Sequence, residues 1–236
     1  MLTRPAPPLR AHAAKNSPWV QTLTGAAVDL VRPDPETVDF VNDIAPTLAV
    51  LPRFNGAARD WYVSDHLVLG CAPLRSRFPG NRQIVAQWLL HDAHEAYIGD
   101  IITPVAKALE AHADAEFRGK GGYEPGIYVK AAIASLKKTL DRAIHEAAGV
   151  PLPDIESAAA IRHHDLAMMI TERNHLMAAS PRSWGAADNI PPLRVAGRMK
   201  SFGKTPELRA QMYLTALGTY CPQALRRVFS ATSHVE

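Results

Sequence analysis

Between Trp19 and Val31 apolar and polar positions alternate loosely on either side of Thr24-Gly25. That pattern predicts a short β-hairpin, ended by Arg32, Pro33, Asp34 and Pro35. Beyond it the helical spacing takes over. Val38, Val41, Ile44, Ala45 and Leu48 form one apolar stripe. A helix carrying His66 follows, with Ser64 as its N-cap. A third helix is predicted from about Asn81 to Tyr97, on Ile84, Trp88, Leu89 and Tyr97, with Gly99 closing it. Thr103-Pro104 reads as a cap with proline in the first turn. Residues 119–126 read as a glycine-rich loop. Ile133, Leu136, Leu140 and Ile144 mark another helix, stopped by Gly149. Asp154 caps a long helix reaching Met177, residues 179–203 form a surface excursion, and Thr205-Pro206-Glu207 opens a last helix toward Tyr220. The expectation is an all-α, single-domain helical bundle with a short N-terminal hairpin: a tail over 1–18, one domain over 19–220 and a tail over 221–236.

Composition agrees with one domain. The chain has 236 residues, 47% of them apolar, enough for a sizeable core. No stretch approaches the roughly 20 apolar residues of a membrane helix. Met1 to Lys15 contains Arg4 and Arg10 but no continuous apolar run, and reads as a tail rather than a signal peptide. A cytoplasmic protein is expected. Cys71 and Cys221 read as small buried thiols, with no zinc-site spacing. The net charge of +3 is spread out, which argues against a nucleic acid polymer as partner but leaves room for a small anionic one.

The chemistry centres on His91-Asp92-Ala93-His94-Glu95. On an unbroken helix His91 and Glu95 share a face, with Asp92 beside His91. They follow the apolar Trp88-Leu89-Leu90, which points them inward, where they are costly to bury unless paired or metal-bound. A surface turn of solvated polar residues accounts for the stretch from Leu90 to Tyr97 equally well. A zinc-protease HExxH would need histidine where Ile98 stands, and neither a GxSxG elbow nor a phosphate-binding GxxxxGK[ST] loop occurs. His66 upstream and Asp165 downstream, each on its own predicted helix, tip the balance. The ordered set of His66, His91, Asp92 and Asp165 suits one divalent ion with open positions, drawn from Mn, Co, Zn, Fe or Mg.

The chain resembles the HD-domain phosphohydrolases, in particular the small 5′-deoxynucleotidases and their phage deoxynucleoside triphosphohydrolase relatives. The resemblance runs from about Trp19 to Met177. It rests on Trp19 to Thr22, Gly25 and Asp29, Asp43 to Ala45, Arg53 to Gly56, Tyr62-Val63 before Asp65-His66, His91 to Asp100, and Asp165 with Glu172 ahead of Leu176-Met177. It implies that His66, His91, Asp92 and Asp165 hold the metal and that Glu95 is the acid/base on the attacking water. It also implies that Arg53 contacts phosphate, that Asp100 meets the sugar hydroxyl, and that the protein is a homo-oligomer. The chain departs from the family where Ala57-Ala58 replace a histidine after Asn55-Gly56. It departs again where Ala106 replaces a lysine; Lys107, one place later, is rotated by about 100° on a helix. The implied activity is metal-dependent hydrolysis of (deoxy)nucleotide 5′-phosphates, releasing either phosphate or triphosphate.

Bland roles are expected elsewhere. His94 reads as a neighbour of the site or a solvated group, and at most one of His163 and His164 shares a face with Asp165. Trp19 reads as pinned on the core. Lys137, Arg142 and Arg173 read as solvated, and Glu172 with Arg173 as an ion pair behind Asp165. Two rival readings stand: a catalytically silent nucleotide-binding sensor, and an HD-type di-iron oxygenase. By resemblance the latter needs extra histidines, for which only His112 and His145 are spaced.

Overall fold

A computed structural model describes residues 17–117, 124–195, 199–201 and 203–226. Most of the predicted tail over 1–18, all but the last three residues of the loop 119–126, and the C-terminal stretch from 227 lie outside the described residues. The described chain is mainly helical with one small antiparallel sheet. β1 (Trp19–Gln21) pairs with β2 (Ala27–Asp29), with Val20 opposite Val28. Gly25 takes φ 84° in the turn, where a side chain would be strained. The hairpin is tied down through Thr24, whose N–H and hydroxyl both donate to the buried Asp43 carboxylate, at 2.8 and 2.9 Å. Trp19 is not the anchor expected of it: it is 54% exposed, and Val28 fills the core instead.

The predicted stripe from Val38 to Leu48 is a single wide turn, Phe40–Ile44, running into the short α1 (Ala45–Leu48). α2 (Val63–Arg77) begins at Tyr62 rather than at the expected cap Ser64. Asp65 reaches back to accept the Tyr62 N–H at 3.3 Å, and Ser64 lies buried in the first turn. α3 (Arg82–Leu90) is capped by Asn81, whose side chain accepts the Ile84 N–H. Every residue from Ile84 to Leu90 is buried, which marks α3 as the central helix. α2 and α8 (Pro206–Tyr220) pack on it, and α7 (Ile155–Leu176) crosses both α2 and α3. The Tyr213 hydroxyl on α8 donates to the Leu89 carbonyl at 2.8 Å.

The predicted helix over 81–97 breaks after Leu90. The Trp88 carbonyl, which the Asp92 N–H would claim in an unbroken α-helix, instead accepts the His91 N–H and, at 2.7 Å, the His91 ring Nδ1–H. The chain overwinds through Ala93→Leu90, Glu95→Asp92 and Ala96→Ala93 hydrogen bonds before α4 (Glu95–Ile98), which Gly99 ends at φ 75°. α5 (Thr103–Phe117) and α6 (Gly126–Ala148) form an antiparallel pair, and α6 stops at the left-handed Gly149 as expected. Asp154 caps α7 at Ser157 and Thr205 caps α8 at Leu208. Cys221 and Ala224 are buried in and around the turn Pro222–Leu225, so packing continues past Tyr220. Both cysteines are buried and free. No helix of the described residues is long and apolar enough to cross a membrane.

α2 passes so close to α3 that Gly70 lies under the Trp88 indole: a Cβ there would stand 2.3 Å from a ring carbon. Gly70→Ala is therefore expected to destabilise the fold by about 1–3 kcal/mol, as overpacked core positions do. Thermal unfolding should show this as a loss of roughly 2–4 °C per kcal/mol for a chain of this size. An unchanged midpoint would mean that the indole is free to move.

Candidate metal centre

Three places bring the four predicted ligands together: the first turn of α2, the end of α3 with the turn that follows it, and α7. His66, fully buried in the first turn of α2, places Nε2 3.3 Å from Asp165 Oδ1 on α7 and 3.8 Å from Asp92 Oδ2. His91, at the end of α3, places Nε2 3.2 Å from Asp92 Oδ2 and 3.9 Å from Asp165 Oδ1. All four ligand atoms lie within 4.8 Å of one another. Donors at 2.0–2.2 Å from one ion stand roughly 3.0–3.6 Å apart, so these separations fit a shared cation.

The imidazoles are oriented for that task. A carbonyl only accepts, so the bond to Trp88 O puts the proton of His91 on Nδ1. His66 Nδ1 donates to Glu172 Oε1 at 2.7 Å. In both rings Nε2 faces the cluster, is buried, and has no aligned hydrogen-bond partner. Two orphaned ring nitrogens beside two carboxylates are the donor set that a divalent ion satisfies. The Trp88 indole stacks on His91 at 4.3 Å and 23°, fixing its plane.

Glu172 does not pair with Arg173. Completely buried, it accepts from His66 Nδ1, from Trp61 Nε1 at 2.9 Å and from Arg53 Nε at 3.1 Å. Arg173 instead pairs with Asp188 and lies over Trp184, away from this carboxylate. Arg53 sits in the 3₁₀ turn Arg53–Gly56, where Phe54 and Asn55 take φ near +54°. Its Nη1 reaches Asp92 Oδ2 at 3.5 Å, so the guanidinium borders the candidate ligands directly.

The overwound turn changes which residues align. His91 and Glu95 were expected on one face, but i→i−3 winding eclipses residues three apart. Asp92 and Glu95 align instead, and they form a second close group with His94, ligand atoms again within 4.8 Å. His94 is buried, with Nδ1 2.8 Å from Asp141 Oδ1 on α6. His164, also buried, donates Nε2–H to the Gly70 carbonyl at 2.9 Å, while His163 is exposed. His112 is exposed and His145 bonds the Val150 and Pro151 carbonyls, so neither joins the ligands.

No family model matches the chain. It is 31% identical over 205 residues to an uncharacterized protein of Rhodobacter capsulatus, covering 81% of this chain and 90% of that one. The chain belongs to the same family as this Rhodobacter protein. It is also 29% identical over 152 residues to the uncharacterized protein YfdR of Escherichia coli, covering 64% of this chain and 68% of that one. Neither relative's name carries an activity, so the functional reading comes from the chemistry of the site.

That chemistry is strongly electrostatic. Burial opposes a charge on His91, but Asp92 and Asp165 outweigh it and raise its pKa well above the ordinary value. Burial and Arg53 oppose His66 in the same way, and Glu172 and Asp165 raise it. Asp92, Asp165 and Glu172 are held low against their burial by the imidazoles and, for Glu172, by Arg53. Glu95 is the exception: burial, then Asp92 and Asp100, push it up to about 10. Burial also raises Asp100, whose charge is felt by Arg53, Asp92, Lys137 and His66 around it. Lys137 was read as solvated, yet it is half-buried and its ammonium lowers both Glu95 and Asp100. Lys137 and Asp141 stand one helical turn apart on α6, flanking the apolar Leu136 and Leu140; that spacing was the signal for both.

The ion-free protein thus stores protons in the site. His66, His91 and Glu95 have folded pKa values above their unfolded ones, so the stability tied to them is full at low pH and is lost as pH rises. The depressed carboxylates contribute evenly above about pH 5. Chelator-treated protein should therefore lose thermal stability as pH rises above about 5, through Glu95, and more steeply from about pH 6.5, where the imidazoles join; Mn²⁺ should restore most at the alkaline end, because ligation displaces those protons. Calorimetric midpoints across that range test this; a chelated midpoint that rises with pH would contradict the protonated imidazole pair.

Proposed function

We propose that the chain is a metal-dependent phosphohydrolase of the HD superfamily, hydrolysing (deoxy)nucleotide 5′-phosphates. The observation that carries this reading is the convergence of His66, His91, Asp92 and Asp165, with both ring nitrogens orphaned and the Glu95 carboxyl beside Asp92. A divalent ion held there would neutralise phosphoryl charge, lower the pKa of a bound water and draw Glu95 back toward ionisation.

The protein's own groups do the rest. Glu95 takes a proton from the attacking water. The water oxygen bonds to phosphorus, the P–O5′ bond breaks, and the proton passes to O5′. Arg53 offers its guanidinium to phosphoryl oxygens while Glu172 holds its Nε edge. Asp100 accepts from the sugar hydroxyl. Among the described residues, Arg53 and Lys137 are the cations whose charge bears on Glu95 and Asp100, which suits one phosphate better than three. A nucleoside monophosphate is therefore the preferred substrate, with inorganic phosphate as product. The compartment proposed is the cytoplasm, and the state proposed, on the family resemblance, is a homo-oligomer.

Metal-stripped protein reloaded with Mn²⁺ or Co²⁺ and offered each nucleoside mono- and triphosphate tests this. Phosphate from monophosphates is the expected product. Intact triphosphate would move the reading to a triphosphohydrolase, and no cleavage with any metal would leave a nucleotide-binding sensor. Glu95→Gln should keep the ion in the four-residue site and lose ~100 to 10,000-fold of turnover. Normal turnover in that variant would remove Glu95 from the mechanism.

A further inference from the structure

The orphaned ring nitrogens of the four-residue site have a counterpart next door. His94 is 3% exposed and its Nε2 has no hydrogen-bond partner. Glu95 is 4% exposed and its Oε2 has none either. The two atoms do not bond each other, although each residue offers an atom within 4.8 Å of the other and of Asp92. The His94 ring is held from behind: Nδ1 lies 2.8 Å from Asp141 Oδ1. This carboxylate–imidazole pair sets the tautomer and aims Nε2 inward, the arrangement that supports metal-ligating histidines.

We infer that Asp92, His94 and Glu95 hold a second divalent cation, with Asp92 shared between it and the ion of His66, His91, Asp92 and Asp165, and with Glu95 giving it one carboxylate oxygen while the other stays free for the proton of the attacking water. The inference rests on the metal-centre reading, since the bridging carboxylate belongs to both groups. One imidazole and two carboxylates select the same class of ion as the first site, such as Mn, Co, Zn or Fe. The extra histidine comes from within the His91–Glu95 turn, not from His112 or His145. Ions sharing a ligand in this way lie about 3.5–4 Å apart in two-metal hydrolases, where they face both the attacking and the leaving oxygen. The second ion would be the weaker, because Asp92 is already drawn to the first and only three protein ligands serve it.

The test uses the full chain, stripped with chelator and titrated with Mn²⁺, read by calorimetric stoichiometry and by electron paramagnetic resonance. Wild type should bind two ions per chain, and the second should convert an isolated Mn²⁺ signal into that of an exchange-coupled pair. His94→Ala should bind one ion with an uncoupled signal. Asp141→Ala, which keeps the ligand and removes only its support, should weaken the second ion about 10–100-fold and leave the first unchanged. One ion in wild type and His94→Ala alike, or two in both, would overturn the second site while the first stands. No ion in wild type would remove both sites together, and with them the proposed hydrolase.

Discussion

The buried Glu172 carboxylate is the constraint on which the site depends. An unpaired carboxylate in the core would be prohibitively costly, so its neighbours are dictated. Trp61, Arg53 and His66 each give it one donor. The three come from separate segments: the 3₁₀ turn, the entry to α2, and α2 itself. Satisfying one charge on α7 therefore locks the rotamer of His66, places the guanidinium beside Asp92, and ties the chain entering α2 to the core. Chemistry and fold share one interaction, and neither can move without the other.

The second constraint is local and lies in the backbone. His91 takes the Trp88 carbonyl twice, through its N–H and through its ring. That ends α3 one residue before the ligands and overwinds the turn after it. The overwinding presents four acidic or imidazole groups in five residues to two adjoining spaces, His91 and Asp92 toward one, and Asp92, His94 and Glu95 toward the other. Trp88, stacked on His91 and seated over Gly70, carries the position of this turn back to the helix pair α2–α3.

The elements, and the four residues that converge at the candidate metal centre, were readable where a strong periodic signal or a chemical type was involved. The hairpin, the stops at Gly99 and Gly149 and the caps Asp154 and Thr205 follow from turn and capping chemistry close in sequence. His66, His91, Asp92 and Asp165 stood out because four ligand-type residues next to apolar runs are hard to place otherwise. What could not be read depended on competition between alternatives of similar energy. The helical pattern over 81–97 is continuous in sequence, and only the side-chain capture of a carbonyl by His91 breaks it. Ser64 is a good cap by type, but Asp65 reaching back to Tyr62 sets the start of α2. Glu172 next to Arg173 looks like a surface pair, yet the helix turns one inward to Arg53 and the other outward to Asp188. His94 acquires its setting from Asp141 on α6, which no local pattern near it reveals, whereas Lys137 carried a signal in its spacing beside Leu136 and Leu140.

The central claim is that two orphaned imidazole nitrogens and two carboxylates mark the seat of a divalent ion. The most direct measurement is anomalous X-ray diffraction at the manganese edge from crystals grown with Mn²⁺. A strong anomalous peak is expected within about 2.0–2.3 Å of His66 Nε2, His91 Nε2 and oxygens of Asp92 and Asp165. Ordered side chains with no peak among them, or with Mn²⁺ bound only elsewhere, would contradict it.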